Sequence, residues 1–197
     1  MGDAAAQLSR RSRRATYADL EAVPPHRVAE IIRGVLHTFP RPAPRHARAS
    51  SRLGMQLGGP FDEGRDGPGG WILLDEPELH LGPVEDGDVL VPDLAGWRRE
   101  RLPRLPEEAF FRLAPDWICE VLSPSTAAHD RVEKMPVYAR EGVRHAWLID
   151  PIAKTLEVFA LGGDGRWIMA GVHRESARVR GEPFEAHELA LAMLWPE

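Results

Sequence analysis

Cysteine is almost missing from this chain. The one thiol, Cys119, has no partner for a disulfide, and no cysteines and histidines are spaced as in a zinc site. Disulfide scaffolds and zinc folds are thereby excluded. No apolar run approaches the roughly 18 residues of a membrane span, and the N-terminus lacks the basic-then-apolar order of a secretory leader. A cytoplasmic protein without membrane contact is expected. Positive charge is not in excess either: the formal net charge is -5, which argues against coating nucleic acid by bulk electrostatics. Any nucleic-acid role must be local, and two basic stretches offer it, Arg10, Arg11, Arg13 and Arg14, then Arg98, Arg99, Arg101 and Arg104. Lysine is scarce as well. Of 25 cationic residues only Lys134 and Lys154 are lysines, so a lysine retained in an arginine-rich chain is a candidate for work that needs a compact ammonium.

What is present fits one globular domain: 197 residues, 43% apolar and 28% charged. Residues 1–15 are expected to form a flexible tail and 16–197 the domain. Thr16 followed by Asp19 predicts a capped helix that Pro24-Pro25 ends. Val28, Ile31 and Ile32 fall at helical spacing before Gly34, which predicts a second helix over 26–33, followed by a strand over 35–39. Helical propensity returns over 46–57, and 58–70, rich in Gly, Pro and Asp, reads as an exposed turn region. Strands are predicted over 71–74, 78–81, 89–97 and 116–122, with 98–115 as a mobile excursion. A helix over 130–141, capped by Asp130, leads to strands over 145–150, 155–161 and 167–173. The order implies an α/β (α+β) fold, a central mixed sheet flanked by helices.

Two acids stand out. Glu120 is surrounded by Ile118, Cys119, Val121 and Leu122, and a strand that apolar is covered on both faces. A carboxylate there is costly unless protonated, paired or bound to a cation. Asp93 sits in the similar run Val91-Pro92-Asp93-Leu94-Ala95, where the proline marks a strand edge or bulge. A salt bridge to an arginine would satisfy either acid alone. Two acids at the ends of neighbouring strands would instead share one divalent cation and leave positions open for a phosphate and a water. Lys134, on the helix that leaves the strand of Glu120, can reach back over that strand's end, although it can equally be a surface lysine paired with a neighbouring acid. Pro136 removes a backbone donor beside it and should kink or restart that helix.

The segments Val91-Pro92-Asp93-Leu94, Trp117-Ile118-Cys119-Glu120-Val121-Leu122-Ser123-Pro124, Asp130-Arg131-Val132-Glu133-Lys134 and Trp147-Leu148-Ile149-Asp150-Pro151 are similar, in order and spacing, to the Uma-type family of restriction-endonuclease-like proteins within the PD-(D/E)XK nuclease superfamily. Glu30 before Gly34-Val35-Leu36 and then Pro44-Arg45-His46 extend the resemblance over roughly residues 16 to 160. It implies a restriction-endonuclease-like core with Mg²⁺ or Mn²⁺ as cofactor and DNA as partner. Asp93 and Glu120 match the two acids of the motif, and Glu30 a helical acid that joins the metal site. The chain departs from the pattern at Leu122, where the superfamily has lysine; Lys134 is its counterpart on the following helix. His46, Arg98 and Arg99 are candidates for substrate contact, and Glu78 with His80 for the border of the site.

These residues point to a metal-dependent DNA endonuclease, with a homodimer as its expected form. Two other readings stay open at this point. One is a catalytically inactive nuclease-fold protein that binds nucleic acid or a protein partner, and the other is a hydrolase of small phosphoesters.

Overall fold

The computed structural model describes residues 13–85 and 87–195, so most of the predicted tail, with Arg10 and Arg11, lies outside the described residues. Helix α1 (Tyr17–Glu21) carries the predicted capping box: the Thr16 side chain accepts from the Asp19 N–H, and the Asp19 carboxylate accepts from the Thr16 N–H at 2.7 Å. The helix expected over 26–33 is instead strand β1 (Arg27–Ile32), paired antiparallel with β2 (Val35–Pro40). Val28, Ile31 and Ile32 satisfy helical spacing, but β-branched residues also favour a strand. The two-residue turn decides between them: Arg33 and Gly34 both have positive φ, 53° and 76°, the geometry that closes a tight hairpin.

Helix α2 (Pro44–Leu57) starts with proline at its first position, where the missing N–H is harmless. The region after it is less open than predicted. Residues Gly58–Asp62 form a π-helical turn that buries Pro60 and packs Phe61 against Phe184, ring centroids 4.7 Å apart. Strands β3 (Trp71–Asp75), β4 (Leu79–Leu81), β5 (Asp88–Leu90) and β6 (Leu94–Arg98) follow. The single strand expected over 89–97 is therefore two. Pro92 lacks the N–H a ladder needs, and the chain crosses there from one sheet to another. Strand β5 belongs to a four-stranded antiparallel sheet of order β2-β1-β5-β4.

Strand β6 joins the larger sheet with β7 (Trp117–Val121). Helix α3 (Ala127–His129), a π-helical turn (Asp130–Lys134) and helix α4 (Met135–Arg140) then carry the chain to β8 (His145–Asp150), parallel to β7. Strands β9 (Thr155–Leu161) and β10 (Trp167–Arg174) extend that sheet, and the short pair β11 (Arg178–Val179) and β12 (Leu189–Ala190) lies apart. The six-stranded order is β10-β9-β8-β7-β6-β3, antiparallel except at β7-β8. The mixed central sheet is as predicted, but the flanking layer on one side contains a second sheet where a helix was expected.

Alternate residues of β7 face different cores. Trp117, Cys119 and Val121 pack with Trp147, with Ala49, Leu53 and Leu57 of α2, and with Phe184, Leu191 and Leu194 from the C-terminal segment. Ile118 and Leu122 pack with Leu148, with Met135, Val137 and Tyr138 around α4, and with Ile32, Leu79 and Leu90 of the smaller sheet. The expected mobile excursion after β6 is irregular but packed. The Trp97 indole N–H donates to the Leu113 carbonyl at 2.9 Å, Phe111 stacks on Trp97 at 4.6 Å, and Phe111 exchanges backbone hydrogen bonds with Glu78 and His80. No helix among the described residues is long and apolar enough to cross a membrane.

Candidate active site

The register of β6 against β7 pairs Leu94 with Cys119 and Ala95 with Ile118. One step further along the ladder, Asp93 stands opposite Glu120 at the same end of the sheet. Alternation turns Glu120 to the face of Ile118 and Leu122, under α4 and β1. There it is buried with three other charged groups: relative exposure is 2% for Glu120 and Glu30 and 4% for Lys134 and Asp130. Burial this complete requires each charge to be answered locally.

Lys134 answers most of it. Its ammonium lies 2.8 Å from Glu120 Oε1, 2.9 Å from Glu30 Oε1 and 3.0 Å from the Val91 carbonyl, so its three N–H donors are all used, and Asp130 Oδ1 stands 4.0 Å away. Tyr138 donates its hydroxyl to Glu120 Oε1 at 2.6 Å. Glu30 also accepts the Val91 N–H at 2.9 Å, and its Oε2 meets His129 Nε2 at 2.9 Å. Glu30 thus works from a strand, not the predicted helix, and both of its oxygens are engaged by protein groups.

The backbone that delivers Lys134 explains its aim. Asp130 is no cap: helical structure begins at Ala127, and Asp130 opens the π-helical turn, where the Met135 N–H reaches the Asp130 carbonyl five residues back. Pro136 follows at once. Its ring cannot accommodate the normal helical carbonyl and supplies no N–H, so the wider turn precedes it. Asp130, Lys134 and Tyr138, spaced four apart, all project inward as a result.

Asp93 is held separately. Its Oδ2 accepts the Val121 N–H at 2.7 Å, and its Oδ1 lies 3.3 Å from Nε2 of His46, a buried residue of α2. Burial works against a charge on His46, but the hydrogen bond to Asp93, that carboxylate's charge and the Val121 backbone outweigh it and raise the imidazole's proton affinity. His46 Nδ1 is buried with no hydrogen-bond partner among the described residues.

The electrostatics are those of a crowded acidic site. Burial raises Glu120 well above the ordinary carboxyl range; Lys134 opposes this, while Asp130, Asp93 and Glu30 reinforce it. Asp130 is raised for the same leading reason. Burial would lift Glu30 too, but the Lys134 charge and hydrogen bonds from His129, Val91 and Lys134 bring it down to about 2. Burial disfavours the Lys134 ammonium, and Glu120 and Glu30 more than compensate, so it stays protonated. Four carboxylates therefore face one lysine and two histidines, His46 and His129. That surplus suits a hard divalent cation with oxygen ligands. Both recorded bonds of Glu120 fall on Oε1, and Asp93 Oδ1 has only the 3.3 Å histidine contact, so one oxygen of each acid is lightly engaged. No three carboxylate, histidine or cysteine donors among the described residues already close around one point.

These groups line a cavity of about 520 Å³ between α1, the β1–β2 hairpin, the start of α2 and the 123–126 loop. Glu30, His46, Asp93, Glu120 and Lys134 all reach it. Arg98 and Arg99 do not. They lie at the far end of β6, about 17 Å along the strand from Asp93, Arg98 over the Trp71 ring at 4.2 Å and Arg99 bonded to Asp62 at 2.5 Å. Glu78 borders the cavity and is tied to His80 at 2.7 Å and to the Tyr17 hydroxyl at 2.8 Å. Sequence reasoning missed His129, Asp130 and Tyr138. The spacing of 130, 134 and 138 on one helical face was an available signal for two of them, whereas nothing local marks His129, whose partner Glu30 is 99 residues away.

A central mixed sheet with acids at the ends of adjacent strands and a lysine from the crossover helix defines a restriction-endonuclease-like core. Within that class the chain belongs to the Uma2 family, described as "Putative restriction endonuclease", whose sequence profile matches residues 14–193. The chain is also similar in fold to a crystal structure described as "a putative nuclease belonging to DUF820" from Anabaena variabilis ATCC 29413. The TM-score is 0.69 at 24% identity over 85% of this chain and 89% of the other. None of the curated proteins matches the chain.

Proposed function

We propose that the protein is a divalent-metal-dependent endonuclease that hydrolyses phosphodiester bonds of DNA. The observation that carries this reading is the buried Glu120–Lys134–Glu30 network beside Asp93 on the cavity wall. Apolar residues would fill that space at no loss of stability, so the charges call for a chemical reason. Asp93 and Glu120 would hold Mg²⁺ or Mn²⁺, which when bound polarises a phosphate and acidifies water. Glu30, with both oxygens engaged, serves as a positioning residue that keeps Lys134 charged and extended, rather than as the metal ligand its sequence context implied. Lys134 would place an ammonium where negative charge develops on the phosphate, with the N–H it gives to Glu120 as the donor it could offer. Tyr138 and His46 set the orientations of Glu120 and Asp93. A homodimer in the cytoplasm belongs to the same reading, since cutting both strands calls for two sites and two-fold pairing is the commonest assembly.

The test is plasmid DNA incubated with purified protein and Mg²⁺ or Mn²⁺. Wild type is expected to nick or linearise it and Glu120→Gln to leave it intact; equal cutting by both would sink the assignment. A second reading, a nuclease-fold protein that binds without cutting, is favoured by Lys134 occupying Glu120 and by the absence of a closed donor set among the described residues. Calorimetric titration with Mn²⁺ separates the two. Binding that disappears in Asp93→Asn supports the nuclease, and no binding in wild type supports the rival.

A further inference from the structure

Between Glu30 and Asp62 the chain contains no acidic residue, although 30 of its 197 residues are acids. That stretch includes the whole of α2, whose sequence PRHARASSRLGMQL carries Arg45, Arg48 and Arg52. Steps of three and four residues put these three arginines on one helical face, next to the face that buries His46, Ala49 and Leu53. Arg45 and Arg48 are exposed and Arg52 is partly buried.

Several arginines elsewhere are answered by acids, Arg13 by Asp19, Arg101 by Asp116, Arg131 by Glu157 and Arg178 by Glu188, and others such as Arg98 and Arg104 stand singly rather than in a row on one helix. Among the described residues no carboxylate lies within ion-pair distance of Arg45, Arg48 or Arg52. Arg41, just before the helix, bonds only the neutral carbonyl of Pro25, at 2.9 Å, and lines the cavity that holds Asp93 and Glu120. Arg45 even sits in the first helical turn, which has no acid and where the helix dipole disfavours a cation. In a chain of net charge -5, a row of unanswered guanidiniums leading away from the cavity mouth is an anion-binding surface.

We propose that Arg45, Arg48 and Arg52, with Arg41 at the mouth of the cavity, form the track that holds the phosphodiester backbone of the nucleic-acid substrate. This rests on the nuclease reading above and replaces the sequence-based expectation that Arg98 and Arg99 do so. The track is about 10 Å long from Arg45 to Arg52, which spans about three phosphates of one strand at their axial spacing. Guanidiniums read such phosphates without regard to base sequence.

The experiment measures binding of a short fluorescein-labelled DNA strand and of its duplex to the full chain in EDTA, from about 50 to about 200 mM salt. Wild type is expected to bind with a steep salt dependence. Arg45→Gln/Arg48→Gln/Arg52→Gln should weaken binding about tenfold or more and flatten the slope of log K against log salt by about 2 to 3. The corresponding triple lysine variant should keep the slope, which separates lost charge from lost structure, and thermal melts should show both variants folded. An unchanged slope in the glutamine variant overturns the track, as does a slope that follows Arg98→Gln/Arg99→Gln instead. Failure of wild type to bind either DNA also overturns it, as does tighter binding of polyglutamate, which would make the ridge a site for an acidic polypeptide. Cleavage assayed in parallel keeps the two readings apart. DNA held through the ridge but never cut defeats the nuclease reading and leaves the track standing, whereas cutting with an unaltered slope does the reverse.

Discussion

The two faces of strand β7 differ sharply in what they bury. On one, Trp117, Cys119 and Val121 pack into a cluster of apolar and aromatic side chains; Trp117 packs edge-on to Trp147 at 5.5 Å and to Phe184 at 4.9 Å. On the other, Ile118 and Leu122 flank Glu120, which draws Lys134, Glu30 and Tyr138 into an otherwise apolar interior. The side chains of both faces are almost fully buried, but the second borders the cavity. The first obtains its stability from area and shape alone. The second holds an ion cluster that apolar residues of similar volume would match or exceed in stability. A single strand thus separates an apolar core from the charged cluster to which the proposed chemistry is assigned.

The sharpest break in this comparison is expected from Asp93→Asn, which should lower Mn²⁺-dependent plasmid cleavage by at least about a hundredfold while leaving the cooperative thermal melt of the protein nearly unchanged. Next come two substitutions of similar size on opposite faces. Trp117→Ala should cost about 3–5 kcal/mol in urea unfolding through the cavity it leaves, and Lys134→Met about 3–5 kcal/mol by stranding Glu30 and Glu120. Only the second should be partly repaired by adding Glu120→Gln. A Trp117 loss repaired by that change, or a Lys134 loss that is not, would erase the distinction between the faces.

A smaller effect depends on pH. The Glu30 carboxyl lies at about 2 in the folded protein, below its ordinary 4.5. Its contribution, about 3 kcal/mol, is therefore fully present above pH 4.5 and lost as the pH falls towards 2. Glu120 and Asp130, shifted upward, slope the other way, so the difference isolates Glu30: as the pH falls from 7 to 3, wild type should lose more unfolding free energy than Glu30→Gln, and parallel curves would remove Glu30 from the network. The smallest change is Tyr138→Phe, which should cost about 1–3 kcal/mol through the lost bond to Glu120, with cleavage reduced less than by Asp93→Asn.

Much of the site was legible because its signals are local. A glutamate among Ile118, Cys119, Val121 and Leu122 is conspicuous wherever the strand goes, and Lys134 on the next helix, one of only two lysines in an arginine-rich chain, narrows the search. The errors arose where local patterns have two solutions. Val28, Ile31 and Ile32 suit a helix or a hairpin, and only the Arg33–Gly34 turn and the ladder to Val89 choose the strand that carries Glu30. Val89 to Trp97 reads as one strand until Pro92 is seen to pass the chain between two sheets. Arg98 and Arg99 were drawn to the site by their nearness to Asp93 in sequence, but an extended strand carries five residues far from where it began.

By itself the sequence determined the mixed sheet, the crossover from β7 to β8 and the identity of the expensive groups, because side-chain alternation, proline chemistry and burial act over a few residues. Which groups pair with one another or line one cavity was decided only by the tertiary structure. Glu30 meets His129 across 99 positions, and His46 meets Asp93 across a helix and a sheet edge. Such partners are chosen by the packing of whole layers, and electrostatic coupling over a few ångströms leaves no periodic trace along the chain.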